Sequence, residues 1–287
     1  MSSTVINSSD GSIPSRRLVV LISGSGTSSY QCPESYHTHC FDPLFIIGTN
    51  LQALIDAQNT PALPHTSIAL VLSNRKAAHG LTRASSANPP IPTAYLGLQP
   101  YLRQNAGKKT REDYDLEIAR IVLGARPDAI VLAGWMHIVS EAFLEVLKGA
   151  RALPPRERKE REGKEEGQKN NVDGEEDLTP LHPIPVINIH PALPGQFDGA
   201  NAIQRGYDAF QCGDVDKLGV MVHRVVAEVD RGEPLIVREV SIEKGEPIET
   251  YEQRLHEVEW EIIVQATKRV LDEVKPLPQE VVDENTE

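Results

Sequence analysis

Apolar positions in this chain come in two rhythms: short unbroken runs, and longer stretches where they recur every three or four residues. Leu18 to Ile22 is an unbroken run that predicts a strand, with Gly24 and Gly26 turning the chain after it. From Asn50 the spacing of Leu51, Leu54 and Ile55 predicts a helix. Ser67 to Ser73 predicts a second strand and Ala77 to Ser85 a helix. Thr110 to Leu123 reads as an amphipathic helix with Tyr114, Ile118, Ile121 and Val122 on one face. Ala129 to Ala133 predicts a strand and Glu141 to Lys148 a helix. Val186 to Ile189 and Gly219 to Val226 predict strands, the latter carrying His223, and Pro234 to Ile242 a further strand or hairpin arm. The last helix, Thr250 to Val274, carries an apolar stripe through Leu255, Val258, Ile262, Ile263 and Ala266. Alternating strands and helices predict an α/β fold: a mostly parallel twisted sheet with helices on both faces, one domain over residues 16–274.

Four stretches break the rhythm. Residues 1–15 are Ser-rich, without an apolar core or basic cluster, and read as a disordered leader instead of a targeting peptide. Ser28 to Gly48 (28–49 with the junction threonine) is an insertion between the first strand and its helix. A second insertion spans about 151–180; its Arg156 to Asp177 core mixes Glu, Lys and Arg with no core pattern and reads as solvated and flexible. The tail from Lys275 to Glu287 is acidic and expected to be disordered.

Composition narrows the function. The 287 residues hold 40% hydrophobic and 24% charged residues, enough for a sizeable core. A net charge of −12 argues against a nucleic-acid partner, whose recognition rests on basic patches. No apolar run is long enough to span a membrane. Three cysteines, Cys32, Cys40 and Cys212, make no disulfide framework, which points to the cytosol.

The chemistry concentrates in Val186-Ile-Asn-Ile-His-Pro-Ala-Leu-Pro194. Alternate residues of a strand share a face, so Asn188 and His190 point the same way. An amide donor beside an imidazole suits a site that holds an oxyanion and moves a proton. An incidental polar pair at a strand end is the alternative reading. Gly24-Ser-Gly26 after the first strand could present N–H groups to a phosphate, or be a plain tight turn.

Six segments, in order, resemble the glycinamide ribonucleotide formyltransferases, fungal in type. They are Arg17 to Thr27, Asn50 to Ala57, Val71 to Lys76, Pro127 to Met136, the Asn188/His190 segment and Glu228 to Pro234. The resemblance runs from about Arg17 to about Asp272 outside the insertions. It implies a formyltransferase fold with a Rossmann-like N-terminal half. It also implies formyl transfer from 10-formyltetrahydrofolate, as co-substrate, to 5-phosphoribosylglycinamide in de novo purine synthesis. No metal or covalent enzyme intermediate is implied, and the protein would be a cytoplasmic monomer or weak homodimer acting on small molecules.

Carried over residue by residue, the resemblance makes Asn188, His190 and Asp230 catalytic. Asn188 and protonated His190 would hold the oxyanion, and Asp230 would orient His190 and raise its pKa. The ribonucleotide would meet Gly26, Thr27, Asn50, Pro191, His256 and Glu259. The folate would meet Arg111, Met136, His137, Ile138, Val139, Asn188 and Asp230. His137 stands where an arginine is common, so recognition there would fall to the main chain. His223 is either a supporting hydrogen bonder or a structural histidine. Gly-Thr occurs at both ends of the first insertion, as Gly26-Thr27 and Gly48-Thr49, and either pair could fill the phosphate site. That repeat, and a length that suits a short in-frame intron, make a gene-model artefact the expected origin of the segment. Its Cys32, His37, His39 and Cys40 have irregular spacing for zinc, and no metal is expected.

Three other readings stay open. A methionyl-tRNA formyltransferase would need a basic RNA-binding domain. A formyltetrahydrofolate hydrolase would carry an N-terminal regulatory domain. A non-catalytic ligand-binding relative could result from the phosphate-loop insertion.

Overall fold

The structure, a computed structural model, describes residues 15–24, 49–104, 108–155 and 177–278. Its strands are β1 (Arg16–Ile22), β2 (Thr66–Ser73), β3 (Thr93–Tyr95), β4 (Ala129–Leu132), β5 (Val186–His190), β6 (Leu218–Arg224) and β7 (Pro234–Val240). They form one sheet in the order β3-β2-β1-β4-β5-β6-β7. β1 to β5 pair in parallel, while β6 and β7 are antiparallel additions at one side. The order reverses direction at β1, and the carboxyl ends of β1, β4 and β5 gather beside one another. Ligands of open α/β sheets bind in this kind of crevice.

Helices cover both faces because the central strands are apolar on both sides. Leu18, Val20 and Ile22 of β1 face α1 (Asn50–Ala57) and α7 (Ile248–Val274), meeting Leu51, Leu54, Leu255, Ile262 and Ile263. Val19 and Leu21 face α4 (Arg111–Gly124) and α5 (Glu141–Leu147), meeting Tyr114, Ile118, Val122 and Phe143. Thr110 starts α4 with a capping box, its hydroxyl accepting from Asp113 N–H while the Asp113 carboxylate accepts from Thr110 N–H. The buried Arg16 fastens the start of β1 to the end of α7 through Asp272, 2.6 Å away.

The structure departs from the sequence reading in several places. α2 (His79–Ser85) starts two residues later than expected, and β6 ends before Val225. β3, α3 (Leu98–Gln104) and α6 (Ala202–Cys212) were not expected at all. β3 has three residues, too few to show a period. α6 fully buries only Ala202 and Gly206, and a glycine inside a helix works against the pattern. There the glycine serves packing, since an added Cβ would stand 3.2 Å from Leu218. The C-terminal tail is not loose from its first residue. Lys275 Nζ donates to the Ser15 carbonyl (2.7 Å) and to Asp128, and Arg16 Nε donates to the Lys275 carbonyl (2.9 Å). The second insertion is likewise held at its base, where Arg151 pairs with Glu112 at 2.7 Å and Arg120 donates to the Pro154 carbonyl.

Candidate active site

The site grows from the end of β5. Ile187 and Ile189 point into the core shared with α7, so Asn188 and His190 occupy the opposite side of the pleat. Antiparallel pairing sets His223 of β6 directly across from Asn188. Asn188 Nδ2 lies 3.3 Å from His223 Nε2 and 3.4 Å from Asp230 Oδ1. His190 Nδ1 lies 3.5 Å from Asp230 Oδ2, and its Nε2 is 3.2 Å from the Gln196 carbonyl. Each nitrogen of His190 therefore faces an acceptor, which both N–H groups of an imidazolium can satisfy together. His223 resembles it: Nδ1 donates to the Arg224 carbonyl (2.9 Å) while Nε2 faces Asp230 Oδ1 at 3.5 Å.

Asp230 arrives from the turn between β6 and β7. Its backbone is left-handed, with φ of 55°. Gly232 lets the turn close on β6, because a Cβ there would sit 1.6 Å from the Arg224 carbonyl oxygen. Burial works to raise the Asp230 pKa. The hydrogen bond from His223, the Gly199 N–H at 2.8 Å and the charges of both imidazoles outweigh it and hold the carboxyl at about 2. The result is a carboxylate that is ionised at neutral pH, set between two buried histidines. The Gly199 N–H and the Gln196 carbonyl both come from the loop after β5, and the sequence reading had neither; the turn-forming Asp198-Gly199 pair was the available signal.

A second group of residues surrounds the turn after β4. Ser23 N–H donates to the Gly134 carbonyl (3.0 Å), and Met136 N–H donates to the Ser23 hydroxyl (2.8 Å). The turn is thereby fixed to the end of β1. Met136 and Ile138 stand out into solvent, whereas Val139 is buried in the core and offers a ligand only its main chain. Arg111 Nη2 donates to the Ile138 carbonyl at 2.8 Å. His137, expected to meet the folate through its main chain, turns its side chain inward: its Nε2 is 2.5 Å from Oδ1 of the buried Asp115. Arg111, Met136, His137 and Ile138 line a cleft of about 380 Å³ with Ser23, Asn74 and Arg75.

The expected ribonucleotide contacts are spread more widely. Gly26 and Thr27 lie outside the described residues, as do Cys32, His37, His39 and Cys40. Thr49, the second threonine of the repeated pair, is the N-cap of α1; its hydroxyl accepts from Gln52 N–H and from Arg83. Asn50 opens α1, and its Oδ1 is buried without a partner among the described residues. Pro191 follows His190, where Ala192 N–H donates to the His190 carbonyl at 2.8 Å. His256 and Glu259 pair with each other on α7 at 2.8 Å, away from the hydrogen bonds of the Asn188 cluster. The Glu259 bond holds the His256 pKa above its ordinary value against the opposing effect of burial. α7 packs along α1, so Asn50 and the His256/Glu259 pair lie on neighbouring helices. Among the described residues, no three His, Cys, Asp or Glu side chains are grouped to hold a metal ion, and no helix is long and apolar enough to cross a membrane.

An amide, an imidazole and an ionised carboxylate at the carboxyl edge of a parallel sheet fit an enzyme that stabilises an oxyanion and moves a proton. The chain belongs to the formyl transferase family, whose profile matches residues 44–152 and 176–267. It is 36% identical over 270 residues to the phosphoribosylglycinamide formyltransferase of Saccharomyces cerevisiae, covering 90% of this chain and 98% of that protein. It is 37% identical over 229 residues to the enzyme of the same name from Schizosaccharomyces pombe, covering 79% and 94%. Among solved structures it is similar to glycinamide ribonucleotide transformylase 1 from Geobacillus kaustophilus, with a TM-score of 0.61, 27% identity and coverage of 90% and 100%.

Proposed function

We propose that this chain transfers a formyl group from 10-formyltetrahydrofolate to the amine of 5-phosphoribosylglycinamide, giving formylglycinamide ribonucleotide and tetrahydrofolate in de novo purine synthesis. The observation that carries this reading is the convergence of Asn188, His190 and Asp230 in a chain 36–37% identical to enzymes so named. The substrate amine attacks the formyl carbon, and the carbonyl electrons move onto oxygen. Asn188 Nδ2 and a His190 N–H donate to that oxyanion. Collapse breaks the bond from carbon to the folate nitrogen, which takes a proton from His190, while the amine gives up its proton through water. Asp230 orients His190 throughout. His190 Nε2 already has the Gln196 carbonyl as acceptor, so a substrate oxygen at that nitrogen must take over its hydrogen bond.

In this reading the folate lies against the exposed turn of Met136 and Ile138, with Arg111 beside it. The ribonucleotide phosphate meets the start of α1 at Asn50, and His256 and Glu259 hold its other end. The enzyme is cytosolic and works as a monomer or weak homodimer on small molecules; its net charge of −12 disfavours a nucleic-acid partner. A hydrolase would use the same polar residues with water as acceptor. The test is to supply 10-formyltetrahydrofolate with and without the glycinamide ribonucleotide and to follow formyl product and free formate. Formylated ribonucleotide is expected; formate release independent of the amine would favour the hydrolase.

A further inference from the structure

The turn after β4 is held by a hydrogen-bonded group that the transfer chemistry does not use. Asp115, on α4, is 1% exposed. Both of its oxygens are engaged, Oδ1 with His137 Nε2 at 2.5 Å and Oδ2 with the Ser140 N–H at 2.8 Å. A buried carboxylate is costly unless each oxygen finds a donor, and here both donors come from the two ends of one short segment. The His137 ring is wedged edge-on against Tyr114 (5.3 Å between centroids) and Trp135 (6.1 Å), which fixes its plane. Its other nitrogen, Nδ1, faces Arg111 Nη2 at 3.5 Å, and the same guanidinium donates to the Ile138 carbonyl. The segment is thus clamped from α4 at His137, Ile138 and Ser140, and at Met136 from Ser23, the residue after β1. Between the clamps Met136 is 64% exposed and Ile138 54% exposed, two apolar side chains turned out beside the cleft.

We infer that Asp115 and His137 are positioning residues: they hold the Met136–Ile138 turn in the shape that binds the formyl donor. The polar atoms of both side chains are engaged within the protein, by each other, by Arg111 and by the Ser140 N–H. His137 turns inward so that its neighbours can face outward, and Arg111 is aligned by His137 and the Ile138 carbonyl together. A ligand with apolar ring surface binds more tightly to a platform that is rigid beforehand, because ordering the turn on binding would subtract from affinity. The inference rests on the proposed formyl-transfer reading for the identity of the ligand, but the clamp is a property of the free protein.

The test uses the full chain and three variants. His137→Phe keeps the ring packed against Tyr114 and Trp135 but removes both nitrogens. His137→Gln restores a donor toward Asp115. Asp115→Asn keeps the shape of the carboxylate and removes its charge. The expected result for His137→Phe is a KM for 10-formyltetrahydrofolate raised by about tenfold with kcat within about threefold, since the reacting groups stay in place. His137→Gln should recover most of the loss, and Asp115→Asn should fall between. Affinity for tetrahydrofolate by calorimetry should follow the same ranking. Amide hydrogen exchange of Met136 to Ser140 in the free protein should speed up in His137→Phe and not in His137→Gln. Unchanged KM, unchanged affinity or unchanged exchange in His137→Phe would overturn the inference while leaving formyl transfer by the parent intact. A parent that neither binds folate nor transfers formyl would instead strike the functional reading, and the exchange data would still decide whether the clamp exists.

Discussion

In the proposed mechanism the chemistry turns on His190 and Asn188. Alanine at either should cut kcat by about two to four orders of magnitude. Circular dichroism should stay native for Asn188→Ala, whose side chain is only half-buried. Near-normal turnover in both would contradict the mechanism. Asp230 offers an independent check through pH. Its carboxyl is held at about 2 against an ordinary 3.8, so the folded state prefers the ionised form. The stability this contributes is complete above the unfolded value and is lost as pH falls through the folded one. Between about pH 4 and pH 2 the parent should therefore lose stability faster than Asp230→Asn, by denaturant titration at each pH. Parallel curves would mean that the carboxylate is not held by its neighbours as described. That Asn188 and His190 share one side of β5 was legible in the sequence, because a two-residue spacing on a strand is itself a geometric statement. Asp115 was not: within an amphipathic helix a buried Asp looks like any polar position until its partner across the fold is known.

Elements deliver these side chains, and the turn between β6 and β7 is the most constrained of them. Gly232→Ala would drive a methyl group into the Arg224 carbonyl, 1.6 Å away. Backbone must move, so about 1–3 kcal/mol of stability should be lost. Activity should fall further than that loss explains, because Asp230 lies two residues away. A variant with the parent's Tm and kcat would show that the turn has slack. The longer strands and helices were readable because their apolar residues repeat over several turns or pleats. α6 was missed because of its interior glycine, although Ile203, Tyr207 and Phe210 recur at helical spacing and pack on the core; β3 was hidden by its length. The loop after β5 was opaque for another reason: what it contributes to His190 and Asp230 is a backbone carbonyl and a backbone N–H, and main-chain groups leave no mark in residue identity.

At the scale of the whole molecule, the two insertions make opposite demands. Residues 156–176 join segments anchored on both sides, by Arg151 to Glu112 and by Ile184 to the Leu147 carbonyl. Replacing them with a short Gly/Ser linker should leave formyl transfer within about threefold of the parent. A large rise in either KM would show that the segment folds over the site. Residues 28–49 interrupt the route from β1 to α1, where the proposed phosphate site would need consecutive N–H groups in fixed conformations. Deleting them joins Thr27 to Asn50 and replaces one threonine cap by another. Affinity for the ribonucleotide should then rise, and equal affinities would mark the insertion as a tolerated loop. The family profile begins at residue 44, so its match starts within this segment, just ahead of α1. The measurement that tests the whole account most directly is single-turnover formyl transfer with labelled 10-formyltetrahydrofolate, comparing the parent with His190→Ala. Formyl transfer by this site should put label in the glycinamide ribonucleotide, with one tetrahydrofolate per formyl moved and near loss of both in the variant. Label released as formate, or transfer that survives without His190, would contradict it.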